Sequence, residues 1–99
     1  MSGFRSKLQS ETVDFLCDAI LTLKSREECY RFFDDIFTIN EIKTIEQRLH
    51  VAKLLKEKHT YSDISDKTGA STATISRVNR CINYGSDGYN IVLKRLKNK

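Results

Sequence analysis

Residues 61–83 read YSDISDKTGASTATISRVNRCIN, two short amphipathic segments on either side of a glycine. Tyr61, Ile64 and Thr68 fall on one face of the first segment at helical spacing. Gly69 follows at once, where a tight turn needs a residue that tolerates positive φ without a Cβ penalty. Ser71 or Thr72 is then placed to cap a second helix by accepting a backbone N–H. On that helix Ile75, Val78 and Ile82 recur at spacings of three and four, which gives it an inward edge. The opposite edge carries Ala73, Ser76, Arg77 and Arg80, with Thr72 and Thr74 at its flanks. A plain helical hairpin with a solvated polar face has the same periodicity. The glycine, the small Ser65 and both apolar edges fall in the register of a helix-turn-helix, and that reading is preferred.

The outer edge has chemistry suited to duplex DNA. Short side chains at the start of the second helix let its backbone approach the floor of a major groove. Serine and threonine hydroxyls bond base edges or phosphates, and Ala73 can touch a thymine methyl. Arg77 and Arg80 can reach guanine or phosphate. Ser71 and Thr72 at the helix start are expected to anchor phosphate, helped by the helix dipole. Thr72, Ala73, Thr74, Ser76 and Arg77 are the candidates for base readout, and Arg80 with the lysines of the C-terminal tail for sequence-independent affinity.

Charge is distributed to match. Residues 1–59 hold ten Lys or Arg and ten Asp or Glu, whereas residues 60–99 hold seven and three, so the net +4 lies wholly in the second part. Beyond Gly69 the sole acid is Asp87. A local basic surface is the footprint of a polyanion binder, although a basic excess can also serve solubility alone. The 99 residues have no proline and four glycines, a composition that favours one all-helical domain spanning 1–99 with a modest core. Cys17, Cys29 and Cys81 are odd in number and lack zinc-ligand spacing, so neither a disulfide framework nor a metal site is expected. No apolar leader and no membrane-length run is present, and cytoplasm is the expected location.

In chain order, a polar lead-in of residues 1–9 precedes a helix expected over Ser10–Lys24. Its stripe of Val13, Leu16, Ile20 and Leu23, widened by Phe15, Ala19 and Leu21, exceeds what a small monomer core requires. Such a helix is expected to meet two neighbours, one of them from another chain. Ser25 to Glu28 and Thr38 to Glu41 each spell a capping box. The first opens a helix with Tyr30, Phe33, Ile36 and Phe37 inward. The second opens a long helix to about Lys58, with Ile42, Ile45, Leu49, Ala52 and Leu55 at helical spacing. Asp34 with Asp35, and His50 and His59, read as solvated or boundary residues because no further ligand converges on them in sequence. After the second helix of the motif, NYGSDG forms a loop. Ser86 or Asp87 is placed to cap a last helix over about Tyr89–Leu96. The expected organisation is therefore 1–58 for dimerisation helices, 60–83 for the helix-turn-helix and 87–97 for a C-terminal helix, five to six helices in all.

The runs TISRVNRCINYGSDGY and TINEIKTIEQRLHVAKLL resemble the YerC/YecD family, relatives of the tryptophan repressor. The likeness runs from about the first helix to the end of the chain. It implies an intertwined all-α homodimer, in which the N-terminal helices of two chains interlock, and transcriptional regulation of the repressor type on double-stranded DNA, with the recognition helix at about Ser71 to Asn83. It also implies an effector pocket between the long helix and the recognition helix. Thr38 and Arg48 match two residues of that pocket, and Arg77 matches the arginine facing it across the indole. Val78 and Cys81 stand where the repressor has a glycine and a serine. A valine side chain intrudes on the indole's space, and a thiol is a poorer partner for an ammonium group than a hydroxyl. The departures speak against tryptophan as effector and leave Arg48 and Arg77 to hold another small anion or to structure the domain. No cofactor is expected.

Two other classes carry less of the sequence. A helical module binding protein or RNA, with the dimer as scaffold, uses the same periodicity without base readout. An enzyme lacks its parts, since no nucleophile–base pair, phosphate-cradling glycine loop or metal cluster is visible.

Overall fold

The computed structural model describes residues 3–99. Among them are six α-helices and no strand: α1 (Glu11–Leu21), α2 (Arg26–Ile36), α3 (Ile39–Lys56), α4 (Tyr61–Thr68), α5 (Thr72–Tyr84) and α6 (Gly88–Lys97). They form two compact units, one ending at Phe37 and the other comprising Thr38–Lys99. The division therefore runs between α2 and α3. The long helix packs against α4, α5 and α6 and belongs to the second unit.

In the first unit, α1 begins where Ser10 Oγ accepts the Val13 N–H at 3.1 Å. It stops at Leu21, three residues before the sequence suggested. The N–H groups of Thr22 and Leu23 turn to carbonyls three residues back, and the Thr22 hydroxyl donates to the Ala19 carbonyl at 2.6 Å. Those shorter loops tighten the last turn and close the helix. At α2, Ser25 Oγ accepts the Glu28 N–H as the capping box requires. The Glu28 carboxylate, however, accepts the Lys24 N–H at 2.8 Å rather than that of Ser25, so only half the box forms. No residue of α1 or α2 is buried. Phe15 is 75% and Leu21 82% exposed, so the wide apolar face of α1 lies open in the single chain.

The second unit is built on α3. Its capping box is complete: Thr38 Oγ1 accepts the Glu41 N–H at 3.2 Å and the Glu41 carboxylate accepts the Thr38 N–H at 2.8 Å. The far end closes with Lys58 at φ 70°, its N–H on the Leu55 carbonyl and the His59 N–H on that of Leu54. This pair of bonds is the Schellman arrangement, here with lysine where glycine is usual. The left-handed lysine costs about 1 kcal/mol of backbone strain, which the two bonds offset.

Around the C-terminal half of α3 lies the core: Val51, Ala52 and Leu54, with Ile64 of α4, Ala70 of the turn, and Ile75 and Val78 of α5. Each fully buried isoleucine or valine contributes roughly 1.5–3 kcal/mol. The seam read from sequence ran through Ile42, Ile45, Leu49, Ala52 and Leu55. Of these, Ala52 is buried and Leu55 packs at the edge, but Val51 and Leu54 are buried as well, and Ile45 and Leu49 remain over a third exposed. Because α4 and α5 both pack on α3, a broader arc of that helix is covered near its end than a single seam would give. The C-terminal α6 docks through Tyr89 and Leu93. Asp87 occupies its N-cap position at φ 70°, but its side chain caps no backbone N–H. Contrary to the expected cap, Asp87 Oδ1 accepts from Asn90 Nδ2 at 2.9 Å, and that amide also donates to the Ile82 carbonyl at 3.0 Å, tying α6 to α5.

His59 joins the end of α3 to the start of α4. Its Nδ1 pairs with Asp63. Its Nε2 lies 3.8 Å from Glu57, and Lys67 Nζ lies 3.4 Å from Asp63. The hydrogen bond to His59, helped by Lys67, holds the Asp63 carboxyl below its usual range. The Thr38 bonds do the same for Glu41. Both carboxylates therefore favour the folded chain at pH values above their ordinary range, and that contribution is lost as pH falls through their depressed values. The thermal midpoint is expected to drop on acidification below about pH 4.5, and less steeply in a D63N/E41Q protein. Parallel midpoint–pH curves for parent and variant would contradict this coupling.

Candidate nucleic-acid interface

The reading motif consists of α4, a three-residue turn and α5. Thr60 Oγ1 starts α4 by accepting the Asp63 N–H at 3.1 Å, and Ile64 is wholly buried. Gly69 ends it at φ 73°, with its N–H on the Ser65 carbonyl at 2.8 Å. Side chains satisfy the turn. Thr68 Oγ1 donates to the Ile64 carbonyl at 2.7 Å and accepts the Ala70 N–H at 3.1 Å. Ser65 Oγ donates to the Ala70 carbonyl at 3.0 Å. From α3, Gln47 Nε2 donates to the Thr68 carbonyl at 3.2 Å. Ala70 is 2% exposed, so the turn is pinned by apolar contact as well. Sequence reasoning noticed that Ser65 is small but missed Gln47, whose partner lies 21 residues away.

Ser71 caps α5 by accepting the Thr74 N–H at 3.2 Å, and its hydroxyl lies 3.1 Å from Thr74 Oγ1. The Ser71 hydroxyl is thereby engaged within the helix start, and Thr74 is half-buried. Thr72, Ala73, Ser76, Arg77 and Arg80 are exposed. No described acid pairs with Arg77 or Arg80. Directly opposite them Ile75 and Val78 are sealed in the core. The proposed readers and phosphate contacts thus share one helix, with Thr74 set back from the others.

Three of the four residues assigned to an effector pocket lie within electrostatic range of one tyrosine. Arg48 of α3 and Arg77 and Cys81 of α5 all act electrostatically on the Tyr89 hydroxyl of α6. Burial pushes that hydroxyl up from its ordinary value, Cys81 adds to the rise, and the two guanidiniums oppose it. Tyr89 read in sequence as a docking residue. Its place among these groups depends on how α6 folds back, which helical spacing does not encode. Thr38 stands apart, its hydroxyl committed to the α3 cap and ten residues, about 15 Å, from Arg48 along the helix. No group of three His, Cys, Asp or Glu side chains among the described residues could hold a metal ion. No described helix is long and apolar enough to cross a membrane.

The family model described as "Trp repressor protein" matches residues 11–97. The uncharacterized protein YerC of Bacillus subtilis (strain 168) is 58% identical over 91 residues, covering 92% of this chain and 88% of that protein. Two solved structures are similar throughout. One, a candidate Trp repressor from Staphylococcus aureus, has a TM-score of 0.88 at 53% identity, covering 94% of this chain and 93% of that one. The other, a TrpR-like protein from Eubacterium eligens, has a TM-score of 0.88 at 58% identity, covering 92% and 94%. The six-helix fold and the register of the turn motif agree with the resemblance read from the sequence.

A Cβ placed on Gly69 would meet nothing within 4 Å, so a substitution there tests the backbone alone. Gly69→Ala is expected to lower stability by about 1 kcal/mol in urea unfolding, and Gly69→Asn by less, because asparagine tolerates the left-handed region. Equal midpoints for parent and alanine variant would rule out a conformational requirement at this position.

Proposed function

Because this chain belongs to the Trp repressor protein family, we propose that it is a homodimeric, sequence-specific DNA-binding regulator that acts as a repressor and reads the major groove with α5. The observation that carries this reading is the two-sidedness of that helix. Ile75 and Val78 are buried, while Ala73, Ser76, Arg77 and Arg80 face outward without an acidic partner. Short residues at the helix start permit close approach, and the arginines supply charge at its middle. Arg80 is assigned to phosphate, and Ala73, Ser76 and Arg77 to base edges.

One such helix makes too few base contacts for specificity, so two copies are required. Apolar side chains left open on α1 (Phe15, Leu16, Ile20 and Leu21) and on α6 (Ile91, Val92 and Leu96) are the surface a second copy would cover. In a two-fold dimer the recognition helices would enter successive grooves about 34 Å apart, one turn of the duplex. The operator would accordingly be an inverted repeat. We assign the Arg48, Arg77, Cys81 and Tyr89 cluster to a small anionic effector other than tryptophan. Val78, where the repressor has a glycine, is 1% exposed and fills core space with its side chain.

Selection of bound fragments from random DNA tests the reading directly, and recovery of no common inverted repeat would reject sequence-specific binding. Against the selected duplex, Arg80→Ala is expected to weaken binding and to reduce the slope of log affinity against log salt by about one. An unchanged slope would remove Arg80 from the phosphate contacts. In a thermal-shift panel of amino acids, tryptophan is expected to leave the melting temperature unmoved. A concentration-dependent rise with tryptophan would overturn the effector assignment.

A further inference from the structure

Beyond the residues already assigned, the outward ridge of α5 carries one more side chain. Positions 73, 77, 80 and 84 recur at spacings of four, three and four, so they form one ridge along the helix. Ala73, Arg77 and Arg80 are the small and basic members of that ridge, and Tyr84 is the last. Among the described residues Tyr84, at 85%, is the most exposed large hydrophobic side chain, and its hydroxyl makes no hydrogen bond to them. The chain leaves the ridge immediately after it. A Cβ on Gly85 would lie 2.4 Å from the Cys81 carbonyl oxygen, so position 85 admits the helix-ending turn only without a side chain. Singly exposed aromatic residues are common on protein surfaces. What distinguishes this one is its alignment with two unpaired arginines on the face opposite Ile75 and Val78.

We propose that Tyr84 is a phosphate-contact residue of the DNA interface, donating its hydroxyl hydrogen bond to a backbone phosphate at the wall of the groove. The proposal rests on the DNA-binding reading of α5 and deepens it. Tyr84 lies eleven residues beyond Ala73, about 16 Å along the helix axis. A major groove is about 12 Å wide. With the short residues of the helix start over the bases, a side chain three turns back has passed the base edges and stands against the sugar–phosphate strand. A neutral phenol there contributes a hydrogen bond without neutralising a phosphate. It therefore releases no counterion and carries no sequence information. Arg80, one turn nearer the helix start, contributes through charge. The two residues thus leave different signatures in salt.

The test uses the full chain, with a selected duplex and a random-sequence duplex of equal length as probes. Tyr84→Phe removes only the hydroxyl from an exposed position, and its thermal midpoint should match the parent's. Affinity is expected to fall about three- to tenfold on both duplexes, with the salt slope unchanged, while Arg80→Ala lowers the slope. Affinity within twofold of the parent on both duplexes would overturn the assignment. Loss confined to the selected duplex would overturn it too, making Tyr84 a base reader. If the parent bound neither duplex, the DNA reading of α5 would fail first, and this assignment with it.

Discussion

Burial of Ile75 and Val78 beside Val51, Leu54 and Ile64 is the interaction on which the rest depends. An isolated thirteen-residue helix with α5's sequence has weak reasons to hold its shape. Its first turn contains no acid, its last turn no base, and β-branched residues are frequent in it. Tertiary packing stabilises it, and that packing also fixes its rotation. With the apolar edge sealed against α3 and α4, Ala73, Ser76, Arg77 and Arg80 have one direction available, outward. Functional presentation of the polar edge is therefore a consequence of core burial. A substitution that loosened Val78 would blur the aim of Arg77 without touching it.

Rotation alone does not fix where the helix begins, and the turn supplies that. Ser65, Thr68 and Gln47 saturate the backbone groups around Gly69, with Gln47 reaching across from the long helix. Groups left unpaired in so tight a turn would favour alternative turn geometries. Paired as they are, they hold the start of α5 at one distance from α3. The base readout proposed for α5 would need that constancy, because base-edge contacts depend on the placement of each side chain. At the other end, Asn90 bonds the Ile82 carbonyl and makes α6 a brace on the recognition helix.

What could be read from the chain beforehand was what local rules control. Gly69 at positive φ, the Ser71 cap, the full box at Thr38 and Glu41, and the two-sidedness of α5 each follow from residues within one or two turns of one another. Reading failed where a choice between near neighbours decided the outcome. Glu28 reached Lys24 rather than Ser25, Asp87 turned to Asn90 rather than to a backbone N–H, and Thr22 closed α1 early. Contacts between distant residues were invisible for a different reason. Gln47 to Thr68, and Tyr89 among Arg48, Arg77 and Cys81, depend on how helices cross. The seam on α3 was misplaced by the same route, since a single-neighbour stripe does not anticipate two helices sharing one end.

Charge divides along the same boundary as the fold. Residues 1–37 carry five Lys or Arg and seven Asp or Glu, a net of −2, whereas residues 38–99 carry twelve and six, a net of +6. The first unit therefore adds nothing to attraction for a polyanion; as a separate surface it would be repelled by one. Its helices nonetheless carry the most exposed large apolar side chains among the described residues after Tyr84, Leu21 and Phe15 foremost. Apolar area with an acidic surround is suited to pairing with basic protein surface and poorly suited to a phosphate backbone. In the dimeric DNA-binding reading proposed above, the two tasks would divide by sign of charge, association through the N-terminal helices and polyanion contact through α5 and the lysines of α6.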